Sequence, residues 1–220
     1  IRDSAMTDRI TLDAVHRQFR LNAETIHAVN GVSLALRSTA VTGLVGPSGS
    51  GKTTVINLVI GWERPDGGTV TRDPDMVDDW HSIAVVPQAL GLLTELSLAE
   101  NVGLPARLGN PEDRTPAALL LALGLDGLGN RMPHEASLGE QQRAAVARAL
   151  ATDPLVLVAD EPTSHQDEAN VAVVARMLRQ AADDGAAVLI ATHDDRLLEI
   201  ADEVLHLANG SIVDPPASGA

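Results

Sequence analysis

The amino-acid sequence reads as an α/β fold: a mostly parallel core sheet, an N-terminal antiparallel β subdomain and an inserted helical subdomain. Three observations carry this reading. Val41–Val45 and Leu155–Ala159 are short apolar segments with the composition of strands buried on both faces. Stretches of helical periodicity alternate with such segments, which implies parallel pairing. Near the start, Thr11–Ala14 and Thr25–Leu36 instead alternate and carry β-branched residues, as antiparallel strands do.

The remaining elements follow in order. Val41–Val45 runs into a glycine-rich turn, and helical periodicity covers Lys52–Trp62. Gly67–Arg72 and Ile83–Val86 read as short strands. Leu96–Gly109 and Pro116–Leu125 read as helices separated by the turn residues Gly109, Asn110 and Pro111, and Leu138–Ala151 as a third. Residues 89–150 are therefore expected to form the helical insert. Leu155–Ala159 is a buried strand, followed by helix Asn170–Ala182, strand Ala187–Ala191, helix Asp195–Ala201 and strands at Val204–Leu207 and Ser211–Val213. A single domain over 6–215 accounts for all of them. Ile1–Ala5, ahead of Met6, is read as an expression remnant.

Composition narrows the function. The 220 residues suffice for one α/β domain with a sizeable core. A net charge of −14 disfavours nucleic acid and adhesion to an anionic membrane surface. The longest apolar run, Pro116–Leu125, is too short to span a bilayer, so direct membrane insertion is not expected. The chain has no cysteine, hence no disulfide framework and no thiolate metal site.

Gly46, Pro47, Ser48, Gly49, Ser50, Gly51, Lys52 and Thr53 spell GPSGSGKT, followed by Thr54. A glycine-rich turn between an apolar strand and a helix lets backbone N–H groups close around phosphate oxygens. The helix N-terminus adds positive partial charge. Lys52 can reach the β- and γ-phosphates, and the Thr53 hydroxyl can ligate Mg²⁺. A chance glycine turn is the bland alternative, and the strand-then-helix context argues against it. The fold is thus expected to be a P-loop NTPase.

VLVADEP ends a buried strand with Asp160 and Glu161. Carboxylates at the carboxyl end of a parallel strand sit where α/β sheets bind ligands. Asp160 is placed to hold Mg²⁺ through water, and Glu161 to accept a proton from an attacking water. Alone, this pair reads equally well as a solvated strand end before the Pro162 turn.

Between the two lies ASLGEQQR, Ala136–Arg143. Ser137–Glu140 forms a capping box: the Ser137 hydroxyl caps the helix and Glu140 reaches back. A capped helix start with a free glycine N–H, here at Gly139, is also an anion grip.

Together these motifs resemble the ATP-binding subunit of ABC transporters, over Val15–Val213. Gln88 in VVPQ resembles the family's Q-loop glutamine, Ser164–Asp167 its D-loop, with Asp167 at the end, and His193 in IATHDD its switch histidine. The resemblance implies ATP and Mg²⁺ as ligands, with Thr53, Gln88 and Asp160 near the metal. It implies catalytic roles for Lys52, Gln88, Glu161 and His193, and adenine stacked on Phe19. It also implies a head-to-tail homodimer, in which Ser137, Gly139 and Glu140 meet the ATP held by the partner's Lys52. An integral membrane permease would be the further partner, with the ATPase cytoplasmic and peripheral on the inner face of the membrane. The chain departs from the family pattern at Ala136 and Leu138, where leucine and glycine are usual, and at Thr39 and Ala40, where Gly-Glu is usual. Leu92–Pro105 resembles the subgroup serving macrolide efflux and lipoprotein release. The alternative is a nucleotide-gated regulator of a membrane partner, of the cell-division type, without transport.

Overall fold

The computed structural model describes residues 6–21, 24–76, 80–108, 115–164 and 166–215. Ile1–Ala5, the turn residues Gly109, Asn110 and Pro111, and the second D-loop residue, His165, lie outside them.

The strands fall into two sheets. β1 (Asp8–Leu21), β2 (Glu24–Arg37) and β4 (Gly67–Arg72) form an antiparallel sheet in the order β2-β1-β4. β3 (Val41–Val45), β5 (Ile83–Val86), β6 (Val156–Asp160), β7 (Ala187–Ala191), β8 (Glu203–Ala208) and β9 (Ser211–Val213) form the core sheet, ordered β5-β6-β7-β3-β8-β9. Every neighbouring pair in it is parallel except β8–β9. β1 runs well beyond the alternating stretch Thr11–Ala14, whereas β2 exceeds Thr25–Leu36 by only one residue at each end. For β1 the reason is a register shift between Leu12 and Val15, where Ala14 takes φ 44° and the period of two is interrupted.

Period-two alternation divides the core sheet's faces. Val156 and Val158 of β6 pack with α1 (Lys52–Ile60) and the antiparallel sheet, beside Leu44, Val55 and Val59. Leu157 and Ala159 face the other way, onto α5 (Leu138–Leu150) and α6 (Glu168–Asp183). α5 presents Ala144, Ala145, Ala147 and Ala149 inward, and such small side chains let its axis come close to the strands.

Helix ends follow local chemistry. α1 stops at Ile60 because Gly61 adopts φ 84°, a left-handed cap, and leaves Trp62 71% exposed. The helix expected over 96–109 is two: α2 (Leu98–Val102), capped by Ser97, and α3 (Leu104–Leu108). Pro105 has no N–H to continue the ladder across Gly103. α4 (Pro116–Ala122) and α7 (Asp195–Leu198) are shorter than their apolar patterns. Among the described residues no helix is long and apolar enough to cross a membrane.

Thr39 occupies φ 63°, backbone that glycine adopts freely and a β-branched residue does not. Three contacts hold it there. Its N–H donates to Ala186 O at 3.0 Å, its hydroxyl donates to Ser38 O at 2.6 Å, and Arg179 Nη2 donates to its carbonyl at 2.9 Å. A glycine would adopt this turn without strain, and here a guanidinium contact from Arg179 helps to hold a threonine in it.

Candidate nucleotide-hydrolysis site

Because β3, β5, β6 and β7 are parallel, their carboxyl ends share one edge of the sheet, where the loops carrying Gly46, Gln88, Asp160 with Glu161, and His193 begin. The phosphate loop is braced from behind by the antiparallel sheet and the β8–β9 hairpin. Gly210 N–H donates to Ser50 O at 2.9 Å, and Asn30 N–H to Gly210 O at 2.7 Å. Gly51 adopts φ 107°, and a Cβ there would lie 2.2 Å from Ala28 O, so no other residue fits. Lys52 Nζ donates to the loop's own Gly46 O at 2.6 Å and Pro47 O at 3.2 Å, which draws the ammonium across the loop. The buried Ser50 hydroxyl has no partner. A phosphate ligand suits this donor set: an ammonium, an unpartnered hydroxyl and the N-terminus of a nine-residue helix.

Burial, and secondarily the neighbouring Glu161 charge, push the Asp160 carboxyl above the ordinary aspartate range, with Lys52 pulling the other way. A divalent cation would relieve that cost. Among the described residues no cluster of three or more His, Asp or Glu forms a metal cage. The oxygens on offer are therefore the exposed Thr53 hydroxyl, the exposed Gln88 amide and Asp160, few enough that the substrate's phosphates would complete the shell.

Glu161 is the most constrained residue of the edge. Its backbone adopts φ 51°, the left-handed region, and its N–H donates to Ala191 O at 2.8 Å. One carboxylate oxygen lies 2.9 Å from His193 Nδ1 and the other accepts from the Thr192 hydroxyl at 3.4 Å. With the carboxylate accepting, His193 carries its proton on Nδ1 and turns Nε2 outward. Glu161 is 12% exposed at its side chain and His193 78%, so the pair bridges protein and cleft. That cleft, of about 420 Å³, is lined by Glu161, Ser164, Gln166 and His193 among others.

The signature and D-loop residues lie next to this cleft in the same chain. Ser137 caps α5: its hydroxyl accepts from Glu140 N–H at 3.3 Å, and its own N–H donates to Glu140 Oε2 at 2.7 Å. That N–H, helped by the hydroxyl and by Arg131 and Arg143, holds Glu140 below the ordinary glutamate range. Leu138 is the first helical residue and is 49% exposed. A Cβ on Gly139 would sit 3.6 Å from Gln166 Cγ, so the signature abuts the D-loop. Asp167 caps α6 by accepting from Asn170 N–H at 2.9 Å. Phe19 lies on β1, half-buried, with the Arg17 guanidinium 4.8 Å from the centroid of its ring.

Sequence reasoning missed three participants. Arg17 carries no motif, and it reaches Phe19 only because strand neighbours two apart share a face. Thr192 was hidden in an apolar strand end. Gln142 had a signal that went unused: a polar residue opening the buried, alanine-rich face of α5. Its amide donates to Glu161 O at 2.7 Å.

An edge that offers a phosphate cradle beside a proton acceptor already tied to a histidine defines a P-loop nucleotide hydrolase. Residues 29–164 match the ABC transporter family model. The chain belongs to that family and is an ABC-type ATPase, an ATP-binding domain. It is 37% identical to an uncharacterized ABC transporter ATP-binding protein of Mycobacterium tuberculosis, covering 83% of this chain but only 59% of that one. It is 36% identical to the lipoprotein-releasing system ATP-binding protein LolD of Gluconobacter oxydans, covering 93% and 95% of the two chains, and 36% identical to the methionine import ATP-binding protein MetN of Sodalis glossinidius, covering 93% and 64%. Its structure is similar to that of the ATP-binding cassette MJ0796 in a dimeric post-hydrolysis state bound to ADP and Pi. The TM-score is 0.82 at 27% identity, covering 92% of this chain and 96% of that one.

Proposed function

We propose that this ATPase powers a membrane ABC transporter by ATP-sandwiched, head-to-tail dimerisation of a single domain spanning residues 6–215, with 89–150 as its helical insert. The observation that carries the reading is the pair of half-sites on one chain. The phosphate loop with Glu161 and His193 makes one, and the capped Ser137–Gly139 start of α5 makes another that no phosphate of the same site is needed to explain. A dimeric relative at TM-score 0.82 supports pairing the two across subunits.

In this reading Gly46–Thr54 cradle the phosphates, Lys52 neutralises the γ-phosphate, and Phe19 stacks on adenine. The partner's Ser137 and Gly139 close the γ-phosphate from the far side, with Glu140 holding that helix start together and Asp167 beside it. Thr53, Gln88 and, through water, Asp160 would hold Mg²⁺, which when bound would supply positive charge against the phosphate oxygens. Glu161 accepts a proton as water attacks the γ-phosphorus and the bond to ADP breaks; His193 fixes the Glu161 carboxylate and contacts the attacked phosphoryl. Gln88, on an exposed loop, links the site to an integral membrane permease. The ATPase itself is cytoplasmic and peripheral on the inner face of the membrane. The exposed Leu138 in the signature favours one alternative, a nucleotide-gated regulator in which dimerisation is the output and transport is absent.

Glu161→Gln tests the dimer. Turnover should fall on the order of 10²–10⁴-fold, and an ATP-bound dimer should accumulate in size exclusion with Mg²⁺. A monomer under saturating ATP, with binding intact, would overturn the sandwich.

A further inference from the structure

The backbone of Glu161 is held as tightly as its side chain. Glu161 O is the acceptor for two side chains, Gln142 Nε2 at 2.7 Å and Ser164 Oγ at 3.1 Å. Glu161 also sits at φ 51°, a conformation a non-glycine residue keeps only where its surroundings over-determine it. Gln142 is 3% exposed and lies on the first full turn of α5, five residues after Ser137. A rigid, capped helix therefore joins the Ser137 hydroxyl to the Glu161 carbonyl through a single buried amide.

We propose that Gln142 is a positioning residue that couples the two ATP sites of the dimer. The proposal rests on the head-to-tail reading. In that arrangement Ser137 and Gly139 of one chain meet the ATP bound by its partner, while Glu161 of the same chain serves its own ATP. The Gln142–Glu161 hydrogen bond then links one site to the other within a single chain. When α5 is drawn onto the partner's γ-phosphate, Gln142 moves with it and sets the plane of the Glu161 peptide, hence the aim of the carboxylate toward water. A site whose own chain has not engaged the neighbouring nucleotide holds Glu161 off line. The amide donor matters here, not the volume of the side chain.

Gln142→Met keeps the volume and removes the donor. As a homodimer it should lower kcat about tenfold, the worth of one hydrogen bond used in the transition state, with KM for ATP changed less than about twofold. Mixed dimers then separate coupling from local positioning. One chain carries Glu161→Gln, so its site is occupied but silent, and turnover reports only the wild-type chain's site. Adding Gln142→Met to the wild-type chain should lower that turnover at least about threefold, because that chain's α5 docks on the silent chain's ATP while its Gln142 aims its own Glu161. Ser137→Ala on the same chain should then lower turnover no further, since the link it acts through is already cut; full additivity of the two changes would overturn the coupling. A homodimer with wild-type kcat per folded molecule would overturn any role of Gln142. Ser137→Ala on the silent chain is the separate control: if it leaves turnover unchanged while Ser137→Ala on the working chain abolishes it, the head-to-tail reading itself fails, whatever Gln142 does. Thermal melts of each variant normalise for folding.

Discussion

At the level of single residues, the site stores cost where it later acts. Asp160 is held above its ordinary range mainly by burial and then by the Glu161 charge. A carboxyl whose pKa is raised by folding contributes stability that is present at low pH and lost as pH climbs through the folded value, so the charged form of Asp160 is the one the nucleotide-free fold disfavours. Asp160→Asn should therefore raise the melting temperature of the free protein by about 2–4 °C, on the order of 1 kcal/mol for a domain of this size. It should at the same time abolish Mg²⁺-dependent turnover. A lower melting temperature, measured by calorimetry at pH 7.5, would mean that the carboxylate is stabilising as it stands. The identity of the charged and glycine-rich residues of this edge was legible in the sequence because phosphate chemistry demands those types at fixed spacing. What was not legible was how they are held. The left-handed turn of Glu161 and the bond from Gln142 join residues 19 positions apart, and no local pattern encodes that pairing.

At the level of elements, the start of α5 carries the most weight. Its capping box accounts for why Leu138 is tolerated: Ser137 is the cap, so Leu138 falls at the first helical position, where ordinary backbone suffices. The side chain is nonetheless 49% exposed, and in the proposed head-to-tail dimer it would face the partner. Leu138→Gly should raise ATP turnover or ATP-driven dimerisation, at a stability cost of no more than about 1 kcal/mol. Unchanged kinetics and unchanged dimerisation by light scattering would assign Leu138 no steric role. Short strands were read to the residue, as at Val41–Val45, Gly67–Arg72, Ile83–Val86 and Ala187–Ala191. The long strand β1 and the weak helices were not, although the equally long β2 was read to within a residue at each end. β1 hides its length behind the bulge at Ala14, and the apolar periodicity around Gly103 continues through a proline that interrupts the hydrogen-bond ladder.

For the whole molecule, charge and colour are both unusual. Two copies of a chain of net charge −14 repel one another, and salt shortens the reach of that repulsion from roughly 30 Å at 10 mM to about 8 Å at 150 mM. ATP-driven dimerisation of Glu161→Gln should accordingly tighten over that range, as read by analytical ultracentrifugation. Weakening instead would point to attractive ion pairs at the interface outweighing the net charge. The chain also has no tyrosine and only two tryptophans, and one of these, Trp62, stands in solvent directly past the cap of the helix that begins at Lys52. The helix is rigid and nine residues long, so whatever grips its first turn is mechanically continuous with the indole at its far end. With Trp80 replaced by phenylalanine, the ultraviolet glow of this protein would come from one place, and the catalyst would carry its own lamp.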